Sequence, residues 1–282
     1  MKMFLKKSVI FTAAFLMAAH LHADDDFGIW SSIAVEKKIS KKFSLEAGLD
    51  FRAEQNLESV ARWDASLSAG YKPWKFLKLG VGYVYIYDRS IQESKVNYNN
   101  SGNVNGYNVD HGYWRSKHRA VFEATAKQKW GRFTFSLRER YLFTHYVGAD
   151  CYRTRFRDEI DASQGGFSGE TYPWNGKEYA EMEVVTDHKK SKNRHYLRSR
   201  LKVEYDIRNC PLTPFASYEL SNNLAEAMDL DKSRLVVGVD WKINKRHALS
   251  VGYLYERGAD FDFDDDGQGN THALDIGYKF DF

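Results

Sequence analysis

Phe43-Ser44-Leu45-Glu46-Ala47-Gly48-Leu49-Asp50-Phe51-Arg52 alternates, residue by residue, between apolar and polar side chains. Successive side chains of a strand point to opposite faces, so this stretch has one apolar face and one charged or small face. A helix would need apolar residues three and four apart, a spacing this stretch lacks. The period continues outward along the chain. Trp63, Ala65, Leu67, Ala69 and Tyr71 form a second stripe, and Leu77, Leu79, Val81, Tyr83, Tyr85 and Tyr87 a third. Leu197, Leu201, Val203 and Tyr205 alternate with Arg198, Arg200, Lys202, Glu204 and Asp206. Leu235 to Ile243 and Leu249 to Tyr255 repeat the pattern.

Eleven segments read as strands: Phe27–Ile39, Phe43–Glu54, Val60–Lys72, Phe76–Asp88, Tyr113–Lys129, Arg132–Tyr146, Arg194–Asp206, Leu212–Ser221, Ser233–Ile243, Arg246–Arg257 and Thr271–Phe282. Their connections alternate strictly between two classes. Ser40–Lys42, Pro73–Lys75, Trp130–Gly131, Arg208–Pro211 and Asn244–Lys245 are tight. Gln55–Ser59, Asp88–Gly112, Val147–Lys192, Asn222–Lys232 and Arg257–Asn270 are longer and polar. Short turns at one end and long loops at the other describe an antiparallel transmembrane β-barrel with periplasmic turns and external loops. A soluble sandwich of two packed sheets has no reason to segregate its turns in this way. Bacterial barrels of one chain have even strand counts. The expected total is therefore ten to twelve: either the count is off by one, or Asp24–Trp30 threads the lumen rather than joining the wall.

The two ends agree. Lys2, Lys6 and Lys7 precede the short apolar run Ser8–Ala19, and Leu21-His22-Ala23 ends where a signal peptidase reads. Residues 1–23 are expected to be a cleaved signal peptide and 24–282 an outer-membrane barrel domain. Leu274, Ile276, Tyr278, Phe280 and Phe282 form a final stripe ending in an aromatic residue. Tyr278, Phe280 and Phe282 are the expected signal read by barrel-assembly machinery. The chain has 41 Lys and Arg against 38 Asp and Glu. Removing the three leader lysines leaves a balanced mature chain, which argues against nucleic-acid binding. No later stretch is apolar for long enough to cross a membrane as a helix. A mean hydropathy of −0.58 suits strands that are apolar on one face only. Only four prolines are present, which suits many long strands.

If the apolar stripes face lipid, the interleaved residues line the lumen. That set is Glu46, Asp50, Arg52, Arg62, Asp64, Lys117, Arg119, Glu123, Arg138, Arg140, Arg198, Arg200, Lys202, Glu204, Arg234, Asp240 and Asp275. A lipid-facing Arg or Lys at the bilayer midplane would cost roughly 2–4 kcal/mol, which forces these charges inward. Glu139 falls on the lipid-facing phase, and is read as a bulge, a strand end or a register error.

The segment from Phe27-Gly28-Ile29-Trp30 through Lys37-Lys38-Ile39-Ser40-Lys41-Lys42-Phe43-Ser44-Leu45-Glu46 resembles a domain-of-unknown-function family of predicted outer-membrane barrels from Bacteroidetes-like Gram-negative bacteria. Its pattern is a Trp-containing strand, a Lys-rich tight turn and an acidic-Arg strand, here Glu46 to Arg52, echoed at Arg138-Glu139-Arg140-Tyr141. The resemblance implies a barrel of unassigned function with no catalytic residues to carry over. Val147–Lys192 is longer than that pattern leads one to expect.

Other chemistry is weakly signalled. Some lipid-modifying barrels place a Ser two residues after a His on one strand face; none of the nine histidines has Ser at that following position. His111 and His145 read as exposed loop or girdle residues. Asp262, Asp264, Asp266 and Gly267 match half of a calcium loop, but its twelfth position is Ala273, so a solvated acidic loop is the better reading. Cys151 and Cys210 fall on opposite sides of an apolar band about 25 Å tall and are not expected to pair. No metal or cofactor is expected. The partners expected are outer-membrane lipid, lipopolysaccharide and the assembly machinery. Three functions remain open: a narrow channel for small, anionic solutes; a closed barrel displaying its loops; and, with least support, a lipid-modifying enzyme.

Overall fold

The computed structural model describes residues 26–160, 169–258 and 270–282. The expected signal peptide and the acidic loop Asp260–Gly267 lie outside these residues. The described chain is all strand, with sixteen in order: β1 (Asp26–Lys38), β2 (Phe43–Glu54), β3 (Ser59–Trp74), β4 (Leu77–Ser90), β5 (Glu93–Tyr98), β6 (Val104–Asp110), β7 (Tyr113–Trp130), β8 (Phe133–Tyr146), β9 (Ala149–Ile160), β10 (Tyr172–Trp174), β11 (Lys177–Lys189), β12 (Lys192–Tyr205), β13 (Leu212–Asn223), β14 (Asp229–Lys242), β15 (His247–Gly258) and β16 (Thr271–Asp281). No helix of the described residues is long and apolar enough to cross a membrane.

Eleven strands close into a barrel in the order β1-β16-β15-β14-β13-β12-β8-β7-β4-β3-β2. They are the eleven segments read from the period, and the even count expected from bacterial barrels does not hold. The reason is geometric. In an up-and-down meander each strand reverses the last, so the first and eleventh run the same way and must close in parallel. β1 and β16 do so from Asp26 beside Thr271 to Glu36 beside Asp281. Residues Asp26–Trp30 therefore belong to the wall and do not thread the lumen. At the seam the Asp26 amide donates to the Asn270 carbonyl, and at the other rim the Phe282 amide donates to Glu36.

The long connections are not irregular. Asp88–Ser116 and Tyr146–Lys192 make a second compact unit holding a five-stranded sheet, β10-β11-β9-β6-β5. Every pair in it is antiparallel. Its core is Val109, Phe156 and Tyr179, with the Trp174 ring stacked on Phe156 at 5.4 Å. Gly106 lets β6 meet β9: its φ is +102°, and a Cβ there would lie 1.9 Å from the Phe156 carbonyl oxygen. No side chain fits that approach. The alternation in β9 is carried by Arg153, Arg155 and Arg157 against Thr154 and Phe156, so a search for apolar stripes passes over it.

The parallel seam sets a sharp test. In a variant lacking Cys151 and Cys210, Val35→Cys with Phe280→Cys should form a disulfide on mild oxidation. Moving the second site to Ile276→Cys should abolish it. Mass spectrometry showing the reverse would rule out this closure.

Candidate functional site: the charged interior of the barrel

Within the barrel unit lies a cavity of about 500 Å³. It exists because the inward side chains of one wall are small. Ser44 and Gly48 on β2, Ser66, Ser68 and Gly70 on β3, and Gly80 and Gly82 on β4 leave the space that long arginines reach into. Glu46, Asp50, Arg52, Arg62, Asp64, Arg119, Glu123, Arg138, Arg140, Arg198, Arg200, Arg234 and Asp275 all border it. Four other residues assigned to the lumen do not. Lys202 pairs with Asp240 at 2.9 Å and Glu204 at 3.0 Å, away from the cavity. Lys117 is buried and does not border it either.

The charges are knitted together. Glu219 is the hub: Arg138 lies at 2.8 Å, Arg234 at 3.6 Å and Arg198 at 3.8 Å. Arg234 also donates through Nε to Glu256 at 2.8 Å. Arg140 meets Glu123 at 2.8 Å, and Arg62 meets Asp64 at 2.6 Å. Toward the turn end, Lys279 bridges Glu36 at 2.7 Å and Glu46 at 2.9 Å. The Trp30 ring holds two guanidiniums, Arg52 at 3.7 Å and Arg234 at 4.7 Å from its centroid. Cation–π contact at this range compensates part of the lost hydration of both.

The lining carries nine cations, with Lys78 added to the eight arginines, against six carboxylates. Nε of both Arg198 and Arg200 is buried and has no hydrogen-bond partner among the described residues. Both guanidiniums border the cavity, so its surface is biased toward negative charge in whatever enters. Glu219, Glu256, Trp30 and Lys78 were missed from the sequence. Strand parity alone would have found them, since each alternates with outward residues. β13 obscured Glu219 because Phe215, an apolar residue, shares its inward phase, so the two faces are not cleanly separated in the sequence.

Glu139 is neither at a strand end nor out of register. It is well inside β8, between Arg138 and Arg140, which both border the cavity, so its side chain takes the outward phase. There its carboxylate accepts from the Ser199 hydroxyl at 2.6 Å. At the chain end, the Tyr278 hydroxyl bonds His247, Phe280 packs on the same imidazole, and Lys37 lies over the Phe282 ring. His145 bonds Asn193 at 2.7 Å and His111 bonds Thr154 at 2.8 Å. Cys151 and Cys210 are both free thiols.

In the second unit, Asp110, Cys151 and Asp187 bring their ligand atoms within 4.8 Å of one another. Cations already occupy the carboxylates. Arg153 reaches Asp110 at 2.5 Å and Asp187 at 2.9 Å; Lys189 reaches them at 2.6 Å and 3.1 Å. The group is an ion-pair knot joining β6, β9 and β11. Burial opposes the charge on Asp110, but hydrogen bonds from Arg153 and Lys189 outweigh it and hold the carboxyl below its ordinary range. Burial pushes the Cys151 thiol up, away from the reactive thiolate.

The family model described as Protein of unknown function (DUF2490) matches residues 27–266, and the chain belongs to that family. A search of the curated proteins finds no match.

Two outcomes follow from these networks. Glu219→Ala removes the carboxylate that Arg138 and Arg198 pair with and one of the two that Arg234 pairs with, and should lower unfolding stability by about 3–5 kcal/mol in urea titration of the folded barrel. Glu219→Ala measured at wild-type stability would show that the hub is idle. For Asp110, the depressed carboxyl contributes stability that is complete above its unfolded value, about 3.9, and is lost as pH falls through the lower folded value. Amide protection of β9, followed by mass spectrometry from pH 6 downward, should fall in that acid range. Asp110→Asn should flatten the profile.

Proposed function

We propose that the chain is an exported outer-membrane barrel that passes small anions through a narrow, positively biased lumen. The observation that carries this reading is the inversion of its wall. Leu49 is 62% exposed, Trp63 53%, Leu67 66% and Val81 54%, while the arginines and carboxylates of the same strands point inward. Water-soluble chains rarely leave contiguous apolar surface beyond a few hundred Å². In lipid, by contrast, a closed barrel is one of only two ways to satisfy every backbone polar group, and the β1–β16 seam leaves no open edge.

Size supports a constricted passage. About 8 strands enclose room only for side chains, and 16 to 18 leave an aqueous channel. Eleven fall between, and here arginines cross the interior while the Gly and Ser wall keeps space beside them. Excess cationic charge in such a constriction favours anions. In this reading the leader directs export, the Tyr278–Phe282 stripe is read by assembly machinery, and lipid and lipopolysaccharide surround the wall. The reading includes no catalytic step and no cofactor.

A second reading has its own observation. The two long connections fold as a sheet with a core of its own, which suits a displayed binding surface.

Planar-bilayer recording of the refolded full chain separates the two. A narrow anion channel should give discrete steps and an anion-selective reversal potential in a salt gradient. Arg198→Glu with Arg200→Glu should shift that potential toward cations. A silent bilayer holding verified folded protein would overturn the channel and leave the displayed sheet as the working part.

A further inference from the structure

Four histidines on the outward face of the barrel share one arrangement, which nothing in the lumen explains. Each has Nδ1 at hydrogen-bond distance from a tyrosine hydroxyl of the neighbouring strand: Tyr83 with His118 at 2.6 Å, Tyr141 with His195 at 2.7 Å, Tyr278 with His247 at 2.6 Å, and Tyr253 with His272. Each imidazole also packs against a second aromatic ring two residues beyond that tyrosine. These rings are Tyr85, Phe143, Phe280 and Tyr255, with centroids 4.9 to 5.6 Å away. The unit is thus Tyr-x-aromatic on one strand and His on the next, built four times.

Its direction is constant with respect to the rims. β4, β8 and β15 run from the tight-turn end to the loop end, and in them the tyrosine precedes the second aromatic ring. β16 runs the opposite way, and there too Tyr278 precedes Phe280. His272 stands level with Tyr255, and His247 level with Phe280. In every copy the tyrosine therefore lies toward mid-barrel and the histidine toward the nearer rim. Three copies face the loop rim and one faces the turn rim. Between the two levels β15 presents Leu249 and Val251, and β16 presents Leu274 and Ile276.

The spacing has a physical scale. From His247 to Tyr255 the strand rises roughly 26 Å at about 3.3 Å per residue. With a tilt near 40° that is about 20 Å along the barrel axis, close to the apolar band about 25 Å tall of outer-membrane barrels. A tyrosine hydroxyl at the edge of hydrocarbon needs a partner, and the imidazole supplies one from the polar side. When Nδ1 of a neutral imidazole accepts, the ring proton sits on Nε2. For His118, His195 and His247 that Nε2 has no protein hydrogen-bond partner among the described residues.

We propose that these Tyr–His pairs mark the two polar boundaries of the bilayer, with imidazole Nε2 donating to the phosphate of glycerophospholipid headgroups. The inference rests on the membrane reading above and adds where the slab begins and ends and what holds it there.

The test uses the full chain with ring-nitrogen-15 histidine, refolded into vesicles of phosphatidylcholine and phosphatidylglycerol. Solid-state NMR then measures dephasing of histidine nitrogen by phosphorus-31. The expected result is loss of the Nε2 signals of His118, His195 and His247, each assigned by its His→Phe variant. Persistence of all three signals in protein that floats with the vesicles, and that migrates as a folded barrel until boiled, would overturn the anchors alone. Protein that fails to float with the vesicles would overturn the membrane reading and the anchors with it.

Discussion

Closure is the constraint on which the barrel depends. A sheet with free edges presents rows of unpaired amides and carbonyls, and only full closure removes them. With eleven reversing strands the sole way to close is a parallel pair, and β1 and β16 supply it along eleven matched positions. Closure then fixes an inside and an outside for every strand. Side-chain parity does the rest, because a slip of one residue would exchange the two faces throughout.

Once the faces are assigned, the charged residues have to be resolved inside. The chain does this with a surplus of guanidinium over carboxylate, Glu219 and Glu256 acting as shared acceptors. Sharing limits the number of buried acids needed, and Trp30 takes part of the remaining positive charge on its ring. The Gly and Ser residues of β2 to β4 keep this cluster from filling the barrel. The cavity is thus a consequence of where small residues sit as much as of strand number. Glu139 shows the rule from the other side: the one acidic residue noted on the outward phase of β8 has a hydroxyl partner, Ser199, from the facing strand.

The barrel strands were legible because each repeats one face of apolar residues over ten or more positions, and a period of two has no helical equivalent. The parallel seam was hidden, although the count of eleven already required it. The expectation of an even number outweighed the parity of the chain itself. The sheet within Asp88–Ser116 and Tyr146–Lys192 was hidden for another reason. Its strands alternate charge against small or aromatic residues, and Gly106, whose role is to let β9 approach, looks like a loop residue in sequence.

The sequence by itself determined the all-β class, the eleven wall segments, the face each side chain takes and the polar character of the interior, because these follow from local alternation. The tertiary structure alone decided how the first strand meets the last, which acid serves which arginine, where space remains among them, and that each of four tyrosines finds a histidine. Those outcomes depend on residues far apart in the chain, such as Lys279 with Glu46 or Arg234 with Trp30, and on a register between strands that no single segment encodes.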